Sequence, residues 1–294
     1  MTGATRGAGD LPANFAIRKM TADDMAAALE WAAGEGWNPG ANDAVCFRET
    51  DPEGFLVGTL DGAPVTSISM VRYDSDFAFL GFYIASPQVR GRGLGYATWQ
   101  AGMALAGDRV IGLDGVPDQQ DNYAAEGFTF AHRNHRFGGV PARLPEAAPA
   151  GVEIRDAGAV HRAALTAYDR ACFPADRAGF LDRWLTSSGH RAKAAVGPNG
   201  LAGFAVLRPC REGAKIAPVM ADDRSTAEAL IAALLRERPE GPVYLDPPSA
   251  NPEAVAIAQS LGLEPVFETA RMYRGGHPEI DLARVFAITS FELG

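Results

Sequence analysis

At 294 residues the chain is long enough for two domains of about 150 residues each. Its 47% apolar and 21% charged content suits a globular protein with ample core, and a net charge of −9 argues against nucleic acid or an anionic membrane surface as the main partner. An anionic cofactor remains compatible with that charge, and the residual acidity mildly favours a cationic substrate. Cys46, Cys172 and Cys210 are too few and too scattered for a disulfide framework or a Cys-x-x-Cys site. The five histidines lack metal-binding spacing, and His132 and His135 fall on opposite faces of a predicted strand, so no metal is expected.

The N-terminus carries no apolar h-region and does not read as a secretory signal. Its Gly/Ala/Thr-rich composition predicts disorder up to about Leu11. No stretch approaches the ~20 apolar residues that span a bilayer, and a cytoplasmic protein is expected. Residues 15–20 read as a strand. Thr21, with Asp24 three residues on, caps a helix that presents Met25, Leu29 and Ala32 on one face and ends near Gly34. Residues 36–40 form a loop in which Trp37 is a core anchor or a substrate contact. Asp61-Gly62 between apolar runs at 54–60 and 64–73 is a hairpin signal.

Residues 77–84 are almost wholly apolar, as a strand buried on both faces requires. A glycine-rich stretch, 88–95, follows, and then a helix-compatible segment from Tyr96. Gly91, Gly93 and Gly95 let the backbone approach a ligand, the first turn of the helix offers N–H groups, and Arg90 and Arg92 supply charge for phosphate oxygens. The loop is neither a Walker A nor a Gly-x-Gly-x-x-Gly fingerprint. It does fit Arg/Gln-x-x-Gly-x-Gly, as Arg90-Gly91-Arg92-Gly93-Leu94-Gly95. In that form, after a buried strand, it resembles the pyrophosphate loop of the GNAT superfamily of acyl-CoA-dependent N-acetyltransferases.

A second segment, Asp121-Asn122-Tyr123 continuing to Gly127-Phe128, resembles the family's Asn…Tyr-x-x-x-Gly-Phe element. The resemblance implies acetyl-CoA as cosubstrate and direct attack by a primary amine, with a small-molecule amine as the expected acceptor. It implies that Ile84 and Ala85 pair with the pantetheine and that residues 90–96, including Leu94 and Tyr96, hold the pyrophosphate beside Asn122. Tyr123 is then the general acid. The general base stays open among Asp114, Tyr83, Glu292 and a water chain. A non-catalytic CoA- or metabolite-sensing module and an interaction protein on a retired fold are the alternatives.

After a strand at 129–137 and Gly138-Gly139, residues 140–150 are rich in Pro and Ala and read as a linker. The chain then repeats itself. Residues 151–156 echo 15–20, Leu245-Asp246 echoes Leu113-Asp114, residues 251–263 echo 122–128, and 271–276 echo 135–139. The expected architecture is α+β, α/β-like: two tandem GNAT-type domains, 12–139 catalytic and 151–294 degenerate, each a mixed, mainly antiparallel twisted sheet flanked by helices. The second copy has Asp222-Asp223 where the loop glycines stood, Ser225 and Glu228 at capping-box spacing, and Ala258 in place of the tyrosine. Its role is then to wall the substrate site, through a helix from Tyr168 continuing to Trp184. There Asp169 holds an amine and Arg177 a carboxylate, unless both simply face solvent. Cys172 reads as a core thiol rather than a nucleophile. Residues 284–294 read as a strand running to the last residue; one option is that it completes the first copy's sheet and brings Glu292 to the active site.

Overall fold

The computed structural model describes residues 11–145, 148–238 and 240–294. The disorder expected before Leu11 and two residues of the linker, Glu146 and Ala147, lie outside the described residues. The first half runs β1 (Phe15–Lys19), α1 (Ala22–Gly34), α2 (Asp43–Thr50), β2 (Phe55–Leu60), β3 (Ala63–Arg72), β4 (Phe77–Ala85), α3 (Leu94–Ala106), β5 (Val110–Gly115), α4 (Gln120–Ala125) and β6 (Thr129–Gly139). The second half repeats that order with β7 (Glu153–Asp156), α5 (Arg162–Cys172), α6 (Ala178–Thr186), β8 (Arg191–Gly197), β9 (Gly200–Pro209), β10 (Ala214–Ala221), α7 (Arg224–Arg236), β11 (Val243–Leu245), α8 (Pro252–Ser260) and β12 (Glu264–Arg274). A short β13 (Val285–Ala287) has no counterpart among the described residues of the first half.

Local signals act as read. The Thr21 hydroxyl accepts from the Asp24 N–H at 3.2 Å and the Asp24 carboxylate accepts from the Thr21 N–H at 2.7 Å, a reciprocal box that starts α1. Asp61 and Gly62 both take positive φ, +50° and +79°, which turns β2 into β3 with the twist a hairpin needs. The α2 helix was not foreseen. The predicted helix from Tyr168 to Trp184 is broken between α5 and α6, because Pro174 cannot continue a helix and Phe173 takes an extended conformation.

The described strands form one thirteen-stranded sheet, ordered β1-β2-β3-β4-β5-β12-β6-β11-β10-β9-β8-β7, with β13 on β10. Among the described residues, only β4–β5 and β10–β11 are parallel pairs. The last strand of each half is thus exchanged. β12 lies beside β5, with Ala270 opposite Gly115 and Arg274 opposite Ile111; β6 lies beside β11, with Phe137 opposite Leu245. β6 and β12 pair with each other at the centre.

Each exchanged strand carries an arginine to an aspartate of the other half. Arg136 of β6 grips Asp246 at 2.7 and 2.8 Å, and Arg271 of β12 grips Asp114 of β5 at 2.8 and 2.7 Å. All four side chains are at most 4% exposed. Burial opposes the charge on Arg136, but the Asp246 carboxylate holds it above its ordinary value, and the guanidinium in turn keeps Asp246 below the usual carboxylate range. A shared core binds the halves further. It joins Met25, Phe47, Phe55 and Phe82 to Leu165, Phe180, Trp184 and Phe204, with α2 packed on α6.

The C-terminal segment corrects an expectation. β12, not residues 284–294, lies next to β5, and only Val285–Ala287 is strand, paired with Val219 and Met220 of β10. Residues 288–294 are irregular yet buried. Their carbonyls accept from Tyr73 (Leu293, 2.8 Å), Arg177 (Gly294, 3.2 Å) and Arg208 (Thr289, 3.2 Å). The apolar run was a burial signal, not a strand signal.

Two outcomes follow from the exchange. Arg136→Met leaves Asp246 as an unpaired buried charge and should cost about 3–5 kcal/mol in urea unfolding, while adding Asp246→Leu should restore most of it. Protease nicking within residues 140–150 should leave both pieces in one particle by gel filtration under native conditions, since each piece holds a strand of the other's sheet. Separation without denaturant would contradict the exchange.

Candidate functional site

β4 and β5 are paired only from Phe77/Val110 to Leu80/Leu113. Beyond that they diverge, as β4 continues on β3 and β5 on β12. A cavity of about 990 Å³ opens between them, at the carboxyl ends of the two strands. The β4 backbone is irregular here. The register with β3 shifts between Ser67 and Ser69, and Phe82 takes φ +47°, a left-handed value rare for a bulky residue. The Ser67 hydroxyl donates to the Phe82 carbonyl at 2.7 Å, and Phe47 and Phe55 pack around the Phe82 ring. That packing holds a strained turn at the mouth of the splay.

Ile84, Ala85, Arg90, Gly91, Gly93, Gly95, Tyr96, Asn122 and Tyr123 all line this cavity. Arg92 and Leu94 do not: Arg92 is exposed beside it, and Leu94, the first residue of α3, is fully buried. Gly91 and Gly93 have φ +77° and +80°, and a Cβ at either would meet no atom within 4 Å, so the loop presents bare backbone to open space. Gly93 is the N-cap of α3 and no side chain caps that helix. This cradle, long cavity and helix start fit the diphosphate of an acyl-CoA. Arg90 donates to the Ala85 carbonyl at 2.9 Å and to Glu35 at 2.6 Å.

Tyr123 is 8% exposed and stacks on Trp99 with centroids 5.6 Å apart; Tyr83 meets Trp99 edge-on at 5.1 Å. Burial, then the nearby Tyr83 phenol, push the Tyr123 hydroxyl well above its ordinary value, so it stays protonated throughout the neutral range. Gly115 makes room for this ring: a Cβ there would lie 2.3 Å from it.

Among the base candidates, Asp114 lines the cavity but its carboxylate is held by Arg271 and by Asn134 at 2.7 Å. Tyr83 lines it as well. Glu292 is buried below the lining, where desolvation raises its carboxyl, and its neighbour Phe291 reaches the cavity instead.

The second half differs from expectation in detail. Asp169 and Arg177 neither face solvent nor await a ligand; they grip each other at 2.8 Å through both nitrogens of a buried fork. The wall of the cavity comes from Phe267 and Thr269 of β12 and Phe291 of the tail, not from α5 and α6. Asp223, rather than Ser225, caps α7, accepting from the Thr226 N–H at 2.8 Å, and Glu228 pairs with Arg224 instead of closing a box. Asp222 accepts from the Tyr168 hydroxyl and pairs with Arg284. β10 and β11 splay after Lys215/Tyr244, as β4 and β5 do, but β13 occupies that gap on Val219 and Met220. Burial pushes the Cys172 thiol up to about 12, which suits a core residue.

Sequence reasoning missed Ser67, Phe82, Trp99, Gly115, Phe267, Thr269 and Phe291. Phe267 and Thr269 reach the cavity only through the strand exchange and Phe291 only through the path of the buried tail, and neither leaves a local pattern.

Comparison with known proteins agrees with this geometry. Residues 22–129 match the Acetyltransferase (GNAT) family and residues 165–287 match an Acetyltransferase (GNAT) domain. The chain is 30% identical over 266 residues to the holothin acyltransferase of Pseudoalteromonas sp. (strain SANK 73390), covering 90% of both. A candidate acetyltransferase from Pyrococcus horikoshii superposes with TM-score 0.80 at 18% identity, over 98% of this chain and 99% of that one. A tandem GNAT protein from the clavulanic acid biosynthesis pathway gives 0.63 at 19% identity, over 90% and 100%. The exchange-linked halves, the splayed strands and these matches place the chain in the GNAT acyltransferase family, as a tandem pair of GNAT domains.

Proposed function

We propose that the first half transfers the acetyl group of acetyl-CoA to a primary amine by direct attack. The observation that carries the reading is the convergence on one cavity of the β4 splay, the bare Gly91/Gly93 backbone and the Tyr123 phenol. Acetyl-CoA, when bound, supplies an acyl carbon activated by a thiolate leaving group.

The chain's own residues do the rest. The loop from Arg90 to Gly95 and the start of α3 hold the diphosphate. Residues 84 and 85 present backbone to the pantetheine arm, and backbone amides beside the Phe82 turn polarise the acyl carbonyl. Tyr123, kept protonated by burial, gives its proton to the departing sulfur. The acceptor is taken to be a small molecule, and holothin, named in the relative, is the first to try. Action in the cytoplasm, without nucleic acid or membrane partner, belongs to the same reading. It is supported by the charge of −9 and by the absence, among the described residues, of a helix long and apolar enough to cross a membrane.

Tyr123→Phe keeps the ring and its stack on Trp99 but removes the proton. Acetyl-CoA affinity should hold while kcat falls by roughly 10²–10⁴. Unchanged kcat would reduce Tyr123 to a packing residue, and an equal loss of affinity would make it a cofactor contact.

The two halves should not bind alike. In the second, Asp222 and Asp223 stand at the loop, Asp223 already uses the Thr226 N–H, and β13 fills the splay. Titration calorimetry should give one acetyl-CoA per chain, and Gly93→Asp should abolish it, because a carboxylate about 4 Å from a diphosphate repels it by ~1 kcal/mol even in water and several times more near protein. A stoichiometry near two would overturn the assignment of the cofactor to the first half.

A further inference from the structure

The irregular stretch of β4 at the mouth of the cavity is a bulge with a definite count. Ile84 lies opposite Ser67 and Gly81 opposite Ser69, so Phe82 and Tyr83 together stand against the single residue Ile68 of β3. One extra residue reverses the alternation of a strand. Ala78 and Leu80 accordingly pack in one core with Trp99 and Ala106 of α3, whereas Phe82 and Ile84 pack in the core shared with the second half. Tyr83 packs on the Trp99 side. The bulge thus turns the wall of the cavity from one face of the sheet to the other.

A φ of +47° is sterically unfavourable for phenylalanine and persists only where the surroundings over-determine it. The Phe47 and Phe55 rings, with centroids 5.9 and 6.4 Å from that of Phe82, fix the side chain. The tail fixes the path of the strand, since a Cβ on Gly81 would lie 2.1 Å from the Glu292 carbonyl oxygen. The plane of the peptide after Phe82 is held differently. Ser67 is wholly buried, does not line the cavity, and donates its hydroxyl to the Phe82 carbonyl at 2.7 Å. A trans peptide is planar and its N–H points opposite to its carbonyl, so this one hydrogen bond also aims the N–H of the same unit, that of Tyr83, away from Ser67. Phe82 and Tyr83 both line the cavity. Ser69, two residues along and just as buried, supplies the contrast: its hydroxyl has no hydrogen-bond partner among the described residues.

Resting on the acetyltransferase reading above, we propose that Ser67 is a positioning residue for acyl transfer, whose hydroxyl holds the Phe82 peptide in the orientation that polarises the thioester carbonyl. As the amine attacks, that carbonyl oxygen gains negative charge, and a backbone donor aimed beforehand lowers the barrier without having to reorganise. The nitrogen lone pair forms the C–N bond and the C–S pair leaves with sulfur. Sulfur takes the Tyr123 proton, the proton shed by nitrogen passes to solvent, and solvent restores the phenol. Ser67 touches neither the acyl group nor the amine and acts through the backbone alone.

The test needs no acceptor. The full chain is loaded with acetyl-CoA carrying carbon-13 at the thioester carbonyl, and the carbonyl stretch is read by difference infrared spectroscopy. In the parent it should fall to lower wavenumber than in free acetyl-CoA, and Ser67→Ala should lose most of that shift. By calorimetry Ser67→Ala should weaken acetyl-CoA up to roughly tenfold, the scale of one hydrogen bond, while CoA, which lacks the acyl group, binds as in the parent. Ser67→Cys, a weaker donor of similar size, should fall between the two, and it carries the test if the alanine variant does not fold. Ser69→Ala should match the parent throughout. A Ser67→Ala shift equal to the parent's, an equal loss of CoA and acetyl-CoA affinity, or the same losses in Ser69→Ala would each overturn the role of Ser67 alone. Acetyl-CoA bound to the parent without a shift would overturn polarisation at the Phe82 turn as well, and no binding of acetyl-CoA would overturn the acetyltransferase reading with it.

Discussion

Two buried Arg–Asp forks, Arg136–Asp246 and Arg271–Asp114, constrain everything else in this molecule. They are the same interaction twice, made reciprocally across the duplication. A buried ion pair is a poor source of net stability, since desolvating both partners offsets their attraction, but an unpaired member is very costly. The pairs therefore specify more than they stabilise. Any arrangement in which each half keeps its own last strand would have to bring its own arginine and aspartate together equally well. The chain instead places β12 on β5 and β6 on β11, so that neither sheet is complete without the other half.

The duplication also shows one backbone device put to two uses. Both halves splay their parallel strand pair after a few residues. In the first half the gap is a cavity, and the strand beside it is turned by Phe82 and pinned by Ser67. In the second the chain fills its own gap, β13 taking the position on β10 that corresponds to Tyr83 and Ile84 on β4. Once a peptide strand satisfies that edge, nothing selects for a glycine loop above it, and the loop carries Asp222 and Asp223, bound to Arg284 and to the start of α7.

What could be read from the sequence was local. The capping box at Thr21, the Asp61-Gly62 hairpin and the Arg90–Gly95 loop are set by neighbours within a few positions, and their residues state their own geometry. The duplication was legible for the same reason, as short echoes such as Leu113-Asp114 and Leu245-Asp246. Those aspartates did not show which arginine they hold, because strands that exchange partners keep the same alternation. Asp169 and Arg177 read as ligand contacts or a solvated face, and their mutual pairing depends on the break at Pro174 that brings residues eight apart together. The tail read as a strand because burial and strand share a composition. The Phe82 turn carried no signal at all, since φ there is imposed by packing against Phe47 and Phe55.

The fork at Arg136 does more than join the halves. Its carboxylate partner fixes the guanidinium, the guanidinium holds the Trp37 carbonyl, and its face sets the charge behind Phe267 and Phe291. Trp37 comes from the first half, Phe267 from an exchanged strand and Phe291 from the tail, so the Arg136 guanidinium touches three separate segments. The proposed division of labour then has a structural cause. A half that has plugged its own splay with β13 can no longer offer a cofactor cleft by that route, but its last strand and tail remain bound into the first half's sheet and mouth. Changes in those segments alter what the open cavity admits while leaving the loop, the Phe82 turn and Tyr123 in place. On the proposed function, the acceptor end is thereby free to diverge independently of the end proposed to hold the thioester.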